Sequence, residues 1–223
     1  MPPPAPTTAW RMIRPLHRAW RAPLHGLVWL LLAGAAAART PPPEKPSPGS
    51  WSDREFGWHY NPRNRPTWLG EDEARALVID AAKPWVACGI RVSFLGDTEH
   101  APGNMDRVNV VGWSLEMPSQ LRAVTLGQAR DGRLLERDIA IRPDRREFEQ
   151  SPRLLQKVIT HEFGHAIGLT HSSRCDDVMT LAADCPPTQP ASLPVDLTAN
   201  DLARCRALYP STGVTAPGLA VPK

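Results

Sequence analysis

Eleven residues constrain this chain more than the rest do: His161-Glu162-Phe163-Gly164-His165-Ala166-Ile167-Gly168-Leu169-Thr170-His171. Histidines four apart lie one turn apart on the same face of a helix, so both imidazoles can reach a single Zn²⁺ at about 2.0–2.1 Å. His171 stands six residues beyond His165, too far for the same helix to bring it round, and the chain has to turn first. Gly168 is where that turn is cheapest, because glycine tolerates a positive φ without steric cost. Glu162 sits beside the first histidine, where its carboxylate can reach a metal-bound water without being a ligand itself. Three protein nitrogens leave a fourth position open for water or substrate, the arrangement of a catalytic zinc rather than a structural one. The full spacing, with Gly168 and His171, arises by chance in about two of a hundred thousand chains of this composition.

The rest of the chain is read around that helix. Hydrophobic residues make up 42% and charged residues 22%, which excludes wholesale disorder, collagen and a multi-span membrane protein. From Met1 to Ala38 there are four arginines and no acid, then the apolar run from Leu27 and four alanines. That is the pattern of a secretory signal over residues 1–38, too short in its apolar part to span a bilayer; an uncleaved amphipathic membrane anchor is the alternative. Its removal leaves 22 basic and 23 acidic side chains, so the basic balance belongs to the export signal. Nothing then suggests a nucleic-acid footprint or stable membrane insertion, and the expected location is secreted or periplasmic. Residues 39–50, rich in proline, read as a tether, residues 51–210 as one catalytic domain, and 211–223 as a tail.

Within the domain, Ala74, Leu77, Val78, Ala81, Ala82 and Trp85 recur at helical spacing, predicting a helix over 71–87 that Pro84 bends or ends. Strands are expected at 90–95 and 107–113. A hairpin is expected between 121–128 and 135–141, turned at Asp131-Gly132. The zinc helix is expected from Ser151 or Pro152 through Ile167, and a last helix over 197–208. The order implies an α+β fold: a twisted mixed β-sheet with helices, the zinc helix at the cleft and a smaller C-terminal subdomain ending in a helix.

The segment from His161 to His171 resembles the zinc motif of the metzincin metallopeptidases, and His-Glu-Phe-Gly-His-Ala-Ile-Gly-Leu-Thr-His-Ser is similar to the matrixin branch that includes the matrix metalloproteinases. Asp177-Val178-Met179 is placed like that clan's methionine turn, and Leu197-Thr198-Ala199-Asn200-Asp201 to Leu208-Tyr209 resembles the matrixin C-terminal helix. The resemblance covers roughly residues 56–210, most strongly 157–181. It implies that His161, His165 and His171 bind one catalytic zinc, with Gly168 making the turn and Met179 an apolar floor. It also implies that Glu162 is the general base for a zinc-bound water, in an endopeptidase cutting internal bonds of a protein or peptide lying along a sheet edge. A secreted zinc-containing peptide-binding protein without turnover is the rival. Thr180-Leu181 departs from the tyrosine and proline of many matrixins, so cleavage preference does not carry over, and Leu181 argues against an astacin-like fifth ligand.

Calcium finds no support in Asp97, Asp106, Asp131 and Asp138, which read as strand ends and solvated turns, and His59 and His100 read as isolated. A monomer is favoured. Four cysteines in an exported chain suggest two disulfides, with three pairings open. Cys175 with Cys185 would enclose the Met179 turn and Cys88 with Cys205 would tie the first helix to the last, the favoured arrangement.

Overall fold

A computed structural model describes residues 47–192 and 194–210; the signal segment, most of the tether and the C-terminal tail lie outside the described residues. Its centre is a five-stranded sheet in the order β2-β1-β3-β5-β4. Strands β1 (Glu55–Asn61), β2 (Arg91–Asp97), β3 (Val110–Trp113) and β5 (Arg133–Ile141) run parallel, and β4 (Ala123–Arg130) pairs antiparallel with β5 at one edge. Asp131 and Gly132, at φ 52° and 72°, turn the β4–β5 hairpin as two-residue loops with both central φ positive do.

Strand β1 has no counterpart in the expectations above, although Phe56, Trp58 and Tyr60 alternate in it and are almost wholly buried. Gly57 and His59 fall on the other face, giving the period of two of a half-buried strand. The predicted strand over 107–113 begins only at Val110, because Arg107 takes a positive φ of 68°. The predicted 71–87 helix divides. Helix α1 (Glu71–Ala82) gives way to a 3-10 segment over Lys83–Cys88 with Pro84 in its first turn, where a missing N–H costs nothing. That tighter winding brings Trp85 fully into the core, its indole donating to Thr160 O at 2.9 Å.

The short α2 (Arg146–Gln150) leads into α3 (Pro152–Ala166), whose Ser151 cap accepts from Leu154 N at 3.2 Å and whose first residue is proline. Leu155, Ile159 and Phe163, spaced at i, i+4 and i+8, form its buried stripe against α1 and the sheet, with Phe163 edge-on to Phe56 and Trp58. The last helix, α4 (Ala199–Leu208), opens on a capping box between Thr198 and Asp201. Disulfides join Cys88 to Cys205 and Cys175 to Cys185. The first ties the 3-10 segment to α4; the second brackets Met179. Among the described residues no helix is long and apolar enough to cross a membrane.

Candidate metal centre

Helix α3 carries His161 and His165 one turn apart and then stops. Gly168 N donates to His165 O at 3.0 Å and Leu169 N to Gly164 O at 2.9 Å, the paired bonds of a Schellman ending, with Gly168 at φ 104°. A side chain there is excluded twice over, because a Cβ would lie 2.2 Å from Gly49 O. The carbonyls left over at the helix end are each taken by a side chain from a distant segment: Ala166 O by Trp51 Nε1 at 2.9 Å, Ile167 O by Tyr209 OH at 2.7 Å, and Gly168 O by Ser47 Oγ at 2.6 Å. Among the described residues, Ser47 already packs on the helix end, ahead of Trp51, so the last residues of the expected tether lie against the domain.

The turn returns the chain so that His171 meets the other two rings. The ligand atoms of His161, His165 and His171 all lie within 4.8 Å of one another, and His165 Nε2 is 3.2 Å from His171 Nε2. Two nitrogens bound to one tetrahedral zinc at about 2.0–2.1 Å stand about 3.3 Å apart, so this spacing fits the ion. Orientation fits too. His161 Nδ1 faces Val178 O at 2.8 Å and His165 Nδ1 faces Leu169 O at 2.7 Å; a carbonyl only accepts, so both Nδ1 atoms carry the proton and both Nε2 lone pairs point at the shared centre. Burial pushes the two imidazoles down, His161 to about 3 and His165 to about 4, with neighbouring imidazoles adding repulsion, which keeps them in the neutral form a metal needs.

Glu162 is nearly buried in the same cleft. Desolvation pushes its carboxyl up to about 7, opposed by the Thr125 hydroxyl, which lies 2.7 Å from Oε2 and 3.0 Å from the backbone oxygen of Glu162. A cation held by the histidines would act in the same direction as Thr125, favouring the carboxylate. Met179 is fully buried beneath the site. Gly164 exists to admit it, since a Cβ there would sit 2.2 Å from Met179 Sδ and 2.8 Å from the Trp85 ring. Asp201, buried at the start of α4, accepts from Val178 N at 2.9 Å and Met179 N at 3.3 Å, so α4 fixes the segment whose Val178 carbonyl orients His161. Asp177 is held in turn by Ser172, Thr198 and Asn200.

The cleft, about 920 Å³, runs from Gln120 into β4 as far as Gly127, across the histidines and up to Thr180–Ala183. Among the described residues strand β4 is the edge of the sheet and no strand pairs with its outer side along this groove, the setting in which an extended peptide can add.

Thr125, Gly164 and Asp201 are site residues that the sequence reading missed. Gly164 alone had a signal, a glycine inside a helical pattern. Asp138 departs from its reading as a strand end or solvated turn: it is buried in β5, accepts from Gly103 N at 2.5 Å and Val110 N at 2.8 Å, and burial pushes it up to about 6. His100 is not isolated either, its Nδ1 lying 2.8 Å from Asp106 Oδ2. Neither joins a cluster of metal-ligating side chains; among the described residues only the three site histidines do.

A family model described as Matrixin matches residues 79–210, more than half of the chain. No curated protein matches it.

Proposed function

The chain belongs to the matrixin family, a family of zinc-binding peptidases, and from that premise we propose that it is an exported endopeptidase that hydrolyses internal bonds of extended peptides. The observation that carries the reading is the convergence of three imidazoles at the floor of an open cleft, next to a buried carboxyl group and the edge of the sheet. His161, His165 and His171 would hold the ion. When bound, zinc supplies Lewis acidity toward the scissile carbonyl and makes a water nucleophilic near neutral pH.

The chain's own residues do the rest. Glu162 takes the proton from the attacking water and later delivers it to the leaving amine, so the proton is conserved across the two halves of the reaction. Thr125 holds the Glu162 carboxylate in place and favours its ionised form. The outer edge of β4 binds the substrate backbone, and Met179 with Gly164 packs the floor so that the ligands cannot drift. Export follows from the pattern of residues 1–38, with cleavage near the alanines after the apolar run.

Digestion of a mixed peptide library tests this reading. Internal cuts that disappear on chelation and return with added zinc are the expected result. A protein that binds zinc but leaves every peptide intact is a binding protein, and the peptidase reading fails.

A further inference from the structure

Besides the histidines, the ionisable side chains lining the cleft are one acid, Glu162, and three cations, Arg122, Arg137 and Lys157. Arg122 is well exposed and paired with Glu147 at 3.2 Å. The other two are unlike it: Arg137 is 8% exposed and Lys157 6%, and among the described residues neither forms an ion pair with a carboxylate. Lys157 spends one of its three N–H donors on Ser192 O at 2.5 Å. Arg137 makes only a long 3.5 Å contact from Nη1 to its neighbour's carbonyl, Glu136 O. A buried cation without a counter-charge is costly, and a fold retains it cheaply only where something else supplies the charge.

Their placement says what that is. Lys157 precedes His161 by one turn on the same face of α3 and lies toward Arg122; Arg137 reaches in from β5, where it stands in register with Gly127 of β4. Arg122 and Gly127 lie toward opposite ends of the groove-lining stretch 120–127, so the two cations stand toward opposite ends of the groove. Gly127 on β4 leaves the guanidinium its place, since a Cβ there would lie 2.8 Å from Arg137 Nη1 and 2.0 Å from Glu136 O.

We infer that the cleft selects acidic peptides, those with Asp or Glu on both sides of the scissile bond, and that Lys157 and Arg137 are its specificity-determining residues. The inference rests on the peptidase reading above. Each substrate carboxylate forms a charge-assisted bond inside a partly desolvated groove, which is worth roughly tenfold to hundredfold over a neutral isostere.

The test compares kcat/KM of the zinc-loaded protein on peptides that differ only in Glu or Gln flanking the cut bond. The acidic peptide should lead by roughly tenfold or more at each flank. Lys157→Gln should collapse that ratio at one flank and Arg137→Gln at the other, whereas Lys157→Arg should keep it. Loss of fold integrity lowers both peptides together and leaves the ratio, so the ratio separates recognition from structure. Equal rates on the two peptides, or a preference that survives both variants, overturns the inference. If no peptide is cut, the peptidase reading has failed, and fluorescence anisotropy of labelled Glu and Gln peptides on zinc-loaded Glu162→Gln decides the charge question alone: tighter binding of the acidic peptide supports the inference and equal binding overturns it.

Discussion

A charged imidazole at His161 or His165 would have to sit out of water beside two further rings, which is why burial pushes the first to about 3 and the second to about 4. In the unfolded chain both titrate near about 6.5. Below that value the unfolded state binds more protons than the folded one, so the stability these residues contribute is present above about pH 6.5 and is lost as pH falls toward the folded values. Glu162 and Asp138, pushed up to about 7 and about 6, act in the opposite direction over the same range, so the histidine contribution is read as a difference. Between about pH 7.5 and about pH 5 the urea midpoint of metal-free wild type should fall relative to that of the His161→Gln/His165→Gln variant. A midpoint difference between the two proteins that does not change with pH contradicts the assignment. At this scale the clustering of the three histidines, with Glu162 in the same cleft, was legible, because their spacing is local to one helix and one turn. Thr125 and Asp201 were not, because their roles come from hydrogen bonds spanning 37 and 22 or 23 residues.

The elements show why the site is rigid. Helix α3 is capped at its start by Ser151, closed by Gly168, and tied down by Ser47, Trp51 and Tyr209 at its last carbonyls. Helix α4 acts at a distance: Asp201 holds the backbone of Val178 and Met179, and the Val178 carbonyl orients His161. Asp201→Ala should leave the zinc ligands in place but lower zinc affinity by about 10–100-fold, the usual effect of removing an outer support, read by competition with a chromogenic chelator. Unchanged affinity would mean the Met179 segment holds itself. The hairpin, α3 and α4 were readable from turn chemistry, caps and period. Strand β1 was overlooked despite the alternation of Phe56, Trp58 and Tyr60, and α2 is too short for any period to show. The α1 helix was overextended because Trp85 keeps helical spacing through a 3-10 segment that Pro84 begins.

For the whole molecule, the sheet order places the antiparallel strand β4 at the edge, and α3 lays the histidines along it, so His161, His165, His171, Glu162 and the edge of the sheet meet in one groove. The α+β class followed from the succession of elements, but the strand order did not, since nothing in the chain announces that β1 enters between β2 and β3. The charge of the groove was equally hidden. Lys157 and Arg137 lie far apart in sequence, and only the packing of α3 against the sheet brings both to the histidines. The disulfides close the structure around this arrangement, Cys88–Cys205 over a separation of 117 residues and Cys175–Cys185 over 10. The measurement that tests the account most directly is zinc content and peptide turnover in wild type and Glu162→Gln side by side. The account predicts equal zinc in both and cleavage at least about 10²-fold slower in the variant. Undiminished cleavage by Glu162→Gln, or a wild type that holds zinc and cuts nothing, would contradict it.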